Sequence, residues 1–284
     1  LEGELGANPF KFGMIGSTDT HSSLSTTRED NYWGKLPNEE PSAERYAEVF
    51  LRNRQKKPVI YTWQLGASGR AGVWARDNTR DEIFDAMRRK EVFATSGSRM
   101  SVRVFGGWDF QADDLERPDF ARTGYSRGVP MGGDLTNGPS GKAPSFMIRA
   151  GRDPDGANLD RIQIIKGWLA EDGKTQERIY DVACSDGRRI KKIGKRRCDR
   201  EVGSTVDLAD ASYTNAIGDP LLTAHWVDPD FDPKQRAFYY VRAIEIPKPR
   251  WTAYDAKFFN VKMPKEVPMT VQDRAYTSPI WYTP

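Results

Sequence analysis

Histidine and cysteine are both scarce, with two of each among 284 residues. Two histidines exclude a histidine-rich metal cluster assembled by this chain alone. Two cysteines leave a single pairing to consider. Neither sign of charge is in excess: 43 Lys and Arg stand against 40 Asp and Glu, a net +3. That balance gives no ground for nucleic acid or an anionic membrane as partner. No apolar run approaches the roughly 20 residues of a bilayer span, so no membrane span is expected. The first residues, Leu1 to Gly6, carry neither an initiator Met nor a signal peptide. They read as the last turn of a helix stopped by Gly6, followed by the Asn8-Pro9 turn. The expectation is the C-terminal portion of a longer polypeptide. Its partner would be an N-terminal portion of the same protein, covalent or as a separate chain.

What is present starts with Met14-Ile15-Gly16-Ser17-Thr18-Asp19-Thr20-His21-Ser22-Ser23. The pattern predicts a short buried strand over 11–16 running into a polar loop. Asp19 and His21, at i and i+2, then project to one side. A carboxylate oxygen and an imidazole nitrogen suit zinc, manganese or iron. An ordinary strand-end turn, with Asp19 accepting from nearby amides, fits the same residues.

Further along, Ser42 to Phe50 has helical spacing and Val59 to Trp63 reads as a strand. The loop Gly66 to Gly72 is rich in small residues but lacks the ending of a P-loop. Thr79-x-x-Glu82 is a capping box, opening a helix whose buried stripe is Ile83, Phe84 and Met87. Val92 to Thr95 follows as a strand. Residues 11–95 therefore alternate β and α, which suggests a parallel sheet or barrel. From Ser101 onward, period-2 runs dominate: 101–105, 145–150, 161–166, 179–184, 205–208, 237–246 and 278–282. That spacing predicts a β-sandwich, with a boundary near Gly97 to Ser101 and a short helix near 254–259.

Cys184 and Cys198 flank a basic segment, Arg188 to Arg197, read as a solvated hairpin tip. Their disulfide would imply an oxidising compartment; two free thiols in a cytosolic protein are the alternative. His225, in Ala224-His225-Trp226, reads as a packed or surface histidine on a strand. The alternate carboxylates of Asp228 to Pro233 read as a rigid turn rather than a calcium loop.

Three stretches carry a family likeness in order: Gly16 to His21; Ala67-Ser68-Gly69-x-Ala71-Gly72-Val73-Trp74-Ala75; and Arg88 to Gly97. Phe238-Tyr239-Tyr240-Val241-Arg242 and Thr277-Ser278-Pro279-Ile280-Trp281 add to it. The chain resembles the bacterial family called domain of unknown function 3604, a relative of the PHP (polymerase and histidinol phosphatase) metal hydrolases. The resemblance implies an α/β part, the C-terminal portion of a distorted PHP-like (β/α)7 barrel over 1–100, followed by an all-β, sandwich-like domain over 101–284. It implies Asp19 and His21 as ligands and catalytic residues in a site of two or three divalent transition metal ions. The other ligands would come from the N-terminal portion, since His-x-His and the further ligands have no counterpart here. Arg28, Arg70 and Arg99 are the candidates to meet a small anionic substrate at the barrel mouth. Ser17 is the candidate to orient Asp19, a helix or turn cap being the alternative. The loop Val129 to Asp134 reads as a β-sandwich connection, with a cover over the site as the alternative.

The resulting expectation is a phosphoester hydrolase using metal-activated water. The cysteine pair and the family's tendency to carry signal peptides place it in the periplasm or outside the cell. A metal-dependent hydrolase of sulfate or carboxylic esters is one alternative. The other is a non-catalytic module in which Trp168, Trp226, Trp251 and Trp281 bind a saccharide or polymer.

Overall fold

The computed structural model describes residues 2–66, 69–191 and 196–284. Its N-terminal third opens with a four-residue helix, α1 (Glu2–Leu5), and an extended segment without ladder pairing. A hairpin follows, β1 (Val49–Arg52) with β2 (Pro58–Tyr61). Then come β3 (Arg70–Val73), α2 (Arg80–Arg88) and β4 (Val92–Thr95). The remainder runs β5 (Ser101–Gly107), α3 (Phe120–Arg127), β6 (Gly128–Pro130), β7 (Asp134–Leu135), β8 (Ser145–Gly151), β9 (Leu159–Leu169) and β10 (Thr175–Cys184). After a long loop it continues with β11 (Leu221–Val227), β12 (Ala237–Glu245), β13 (Lys248–Pro249), α4 (Trp251–Phe259), β14 (Thr270–Val271), β15 (Arg274–Thr277) and β16 (Ile280–Tyr282).

Two sheets face each other. The larger has eight strands in the order β10-β9-β12-β15-β4-β3, with β16 beside β12 and β7 beside β16. The smaller is β11-β8-β5-β6. Alternate residues of each strand meet between them. Val102, Val104, Phe146 and Ile148 of one sheet pack with Ile162, Ile164, Tyr239 and Val241 of the other. This is the period-2 code of strands with one face on a core. The β-sandwich expected from the sequence is therefore present as two stacked, mainly antiparallel sheets. Of its predicted strands, 205–208 is instead a loop with one isolated bridge at Asp207.

Among the described residues the parallel barrel does not appear. β3 pairs antiparallel with β4, and β4 pairs antiparallel with β15. The large sheet thus continues across the 100/101 division. The reason lies in α2. Thr79 caps it as expected, accepting from the Glu82 N–H at 3.4 Å. Yet Ala86 is its only buried residue, and Phe84 and Met87 of the predicted stripe are exposed. A helix that does not cross a sheet face makes no βαβ crossover, and the chain returns antiparallel.

Residues 11–16 are extended but not a buried strand: Phe12 and Ile15 are exposed, and the Met14 N–H donates to the Ser278 hydroxyl. A Cβ on Gly16 would lie 2.8 Å from the Thr95 carbonyl oxygen and closer still to that of Arg70. Only glycine lets this segment run so near β3 and β4. Ser42 accepts from the Arg45 N–H at 3.0 Å, but the predicted helix is one 3-10 turn, Arg45–Ala47, leading straight into β1.

The N-terminal third is docked by polar groups. Arg45 makes two hydrogen bonds to Asp255 of α4, at 2.5 and 2.7 Å, and both residues are buried. Arg250 donates to the carbonyls of Trp63 and Leu65 at 2.7 and 2.5 Å.

Candidate functional site

Asp19 and His21 do converge. His21 Nε2 lies 3.5 Å from Asp19 Oδ1. Two ligands about 2.1 Å from a tetrahedral ion stand about 3.4 Å apart, so this spacing fits one ion between them. Asp19 adopts φ 50°, a left-handed conformation that Asp tolerates better than most residues and that turns its side chain back towards His21. The loop is fixed from the other side: the His21 N–H donates to the Lys35 carbonyl at 2.8 Å. Glu39 accepts from the amides of Lys35 and Leu36.

The ammonium of Lys35 is bonded to Asp19 Oδ2 and holds that carboxyl below its usual range. Lys35, rather than Ser17, is the group that fixes the Asp19 carboxylate. Ser17 instead gives its main-chain carbonyl to the Gly69 N–H at 2.9 Å and lines a cavity of about 260 Å³ beside Asp19. Both ligand candidates are more than half exposed. Among the described residues no third His, Cys, Asp or Glu donor stands close enough to join them. The one such group of three, Asp181 with Cys184 and Cys198, has both sulfurs bonded to each other. The donor set here therefore fits part of one ion's coordination, not a two- or three-ion cluster.

Arg28, Arg70 and Arg99 line one cleft of about 470 Å³. Three separate segments bring them there: the loop before the Glu29–Asn31 turn, the first residue of β3, and the turn after β4, where Gly97 takes φ 147°. Arg28 is paired with Asp30 at 2.5 Å. Arg99 is held by buried Asp153, at 3.0 Å, and by Asp155. Lys248, also in the wall, sits 3.0 Å from Glu245 and 2.6 Å from Asp273. Arg70 alone among these cations has no carboxylate partner among the described residues; both its hydrogen bonds go to the Thr27 hydroxyl.

Glu29 completes the wall. Its Oε2 accepts the Trp251 N–H at 2.7 Å, at the start of α4, and burial pushes its carboxyl up to about 7. Glu245, fully buried beneath Lys248, is likewise raised to about 7 by burial. Residue types alone did not single out Glu29, Lys35 or Lys248. Their roles depend on α4 and on the 35–39 turn lying against the N-terminal third.

The remaining candidates fall elsewhere. Cys184 and Cys198 form the disulfide, with Cα atoms 6.1 Å apart. The central part of the basic run between them, 192–195, lies outside the described residues, as do Ala67 and Ser68 of the small-residue loop. His225 lies on β11, and its Nε2 meets the Phe110 carbonyl at 2.8 Å, a structural role. Asp228 accepts from Lys166 and Tyr239, and Asp230 from Arg178 and Tyr180, so these carboxylates face cations and hydroxyls rather than a shared calcium. The 129–134 loop joins β6 to β7 with Met131 buried, a sandwich connection. Trp251 is fully buried, and Trp226 packs against Phe146 and Tyr180 in the core. Trp168 and Trp281 line a groove of about 980 Å³ with Phe238 and Tyr240.

No helix among the described residues is long and apolar enough to cross a membrane. The model of the family described as "Protein of unknown function (DUF3604)" matches residues 1–284, and the chain belongs to that family. Comparison with curated proteins and with solved structures gives no match.

Proposed function

We propose that this chain supplies two metal ligands and the substrate-anion cleft of a metal-dependent hydrolase, related to the PHP enzymes and acting on a phosphoester. The observation that carries the reading is the convergence of Arg28, Arg70 and Arg99 on one cleft, with Arg70 unpaired. Segment 14–17 joins this cleft to the Asp19–His21 pair through the Ser17–Gly69 hydrogen bond. Asp19 and His21 would hold one ion, and donors from another segment of the same protein would complete its shell. When bound, such an ion lowers the pKa of a water and offsets charge on the reacting ester. The chain's own part is to bind and orient. Arg70 offers a planar donor fork to an oxyanion, and Arg99, locked by Asp153, holds its side of the cleft in one shape. A dianionic phosphate monoester or a monoanionic sulfate ester suits an unpaired guanidinium better than a neutral carboxylic ester does. The disulfide accords with export to the periplasm or beyond.

Metal titration by calorimetry, followed by a phosphate- and sulfate-ester screen, tests this. One zinc or manganese ion per chain, lost in Asp19→Ala and in His21→Ala, is the expected result. Undiminished binding in both variants would remove the ligand assignment. A second reading, a saccharide-binding module, draws on the groove where the Phe238 and Tyr240 rings lie within 13° of parallel beside Trp281. Oligosaccharide binding lost in Trp281→Ala, without metal binding, would favour it.

A further inference from the structure

The Arg70 cleft contains two unmatched charges that do not meet. Every other carboxylate in its wall is ion-paired: Asp30 with Arg28, and Asp153 and Asp155 with Arg99. Glu29 has no cation at ion-pair distance among the described residues; its one hydrogen bond is from the Trp251 N–H. Arg70 is the converse, a guanidinium bonded only to a neutral hydroxyl. A lone anion seated on Arg70 would satisfy the cation and face an ionised Glu29 across the same cavity. An anion arriving with a proton satisfies both: the oxyanion lies on Arg70, and Glu29 becomes a neutral hydrogen-bond donor.

We infer that the cleft binds a divalent oxyanion together with one proton, and that Glu29 carries that proton. This rests on reading the cleft as an anion site and adds its regulation by pH. The surroundings support it. Arg250, behind Glu29, is committed to the Trp63 and Leu65 carbonyls, and Lys248 to Glu245 and Asp273. Asp273 opposes ionisation of Glu29, as burial does. The Tyr32 and Tyr254 hydroxyls that face it are pushed up to about 12 by burial and stay neutral. Arg28 and Asp30, the flanking residues, neutralise each other. Glu29 is therefore the group in the wall free to change charge near neutrality.

Sulfate is the probe, because its own charge does not change between pH 6 and 8.5. With Glu29 titrating at about 7, the neutral fraction falls about thirtyfold over that interval, and sulfate affinity of the wild-type chain should fall by the same factor. Calorimetry at pH 7.5 in two buffers of different ionisation enthalpy should count about three-quarters of a proton taken up, since a group titrating at about 7 already carries about a quarter of one there. Glu29→Gln keeps an acceptor for the Trp251 N–H and should hold the pH 6 affinity throughout. Arg70→Met should lose sulfate at both pH values. Persistent pH dependence in Glu29→Gln would transfer the proton to another group, such as Glu245, and overturn the inference. If that variant does not fold, the wild-type proton count decides: zero overturns it. Flat binding that Arg70→Met abolishes would keep the anion cleft and remove the role of Glu29. No sulfate binding at either pH would remove the cleft reading and this inference with it.

Discussion

The N-terminal third and the sandwich are held together by opposite means. In the sandwich, apolar residues from both sheets form one continuous core, from Phe93 to Tyr282. Among described side chains up to residue 66, Tyr32 is the only buried apolar one, while Phe10, Phe12, Ile15, Leu51 and Val59 are exposed. Residues 2–66 are attached by directional polar contacts, Arg45 to Asp255, Arg250 to two carbonyls, and Glu29 to the Trp251 N–H, whereas β3 and β4 belong to the large sheet. A core resists local opening because many contacts must break together, whereas a few polar anchors can release as a unit. The candidate chemistry lies where the anchored third meets the sandwich. A site placed there can adjust its ligand loop without disturbing the β-core.

The contrast is open to direct attack. The largest effect should come from Asp255→Ala, which strands the buried Arg45 guanidinium at a cost of about 3–5 kcal/mol. Hydrogen exchange should then show amides of 29–65 opening while β8, β9 and β12 stay protected. Loss of protection in those strands as well would show that the two regions are one cooperative unit. Next, Cys184→Ser with Cys198→Ser removes a loop constraint worth about 3 kcal/mol. It should lower the thermal midpoint of the sandwich and leave metal binding at Asp19 unchanged.

A third effect is pH-linked. Glu29 and Glu245 titrate at about 7 when folded and near 4.5 when unfolded. The folded state binds the extra protons, so this part of the stability is complete below pH 4.5 and is lost as pH rises through 7. Denaturant melts at pH 5 and 8 should differ less in the Glu29→Gln, Glu245→Gln double variant than in wild type. The smallest effect is expected from Phe84→Ser on the exposed face of α2, within about 0.5 kcal/mol. A larger loss there would mean that the face is covered in solution.

Much of the β architecture was legible because strand alternation is a local code. The period-2 runs 145–150 and 237–246 read directly as strands, and the structure has strands at Ser145–Gly151 and Ala237–Glu245. Direction was not legible. The order of β3, α2 and β4 is the same for a parallel and an antiparallel return, and only the exposure of Phe84 and Met87 separates them. At the site, Asp19 with His21 and the three arginines could be named because their residue types carry chemistry. Lys35 and Glu29 look like any surface charges until Asp19 and Trp251 stand beside them. The tryptophans misled in the other direction: Trp251 is fully buried, and Trp226 is partly buried against the sandwich core.

The absent side chain at position 16 has a consequence for spacing. Gly16 presses backbone to backbone on Arg70 and Thr95, and the next residue bonds the amide before Arg70. The gap between the ligand pair and the anion cleft is thus gauged by main-chain atoms. On the proposed reading, replacing Asp19, His21 or Arg70 would change how tightly each site holds its ligand and leave their separation intact. One added methyl group at position 16 would do the reverse, keeping every ligating group and moving the two sites apart.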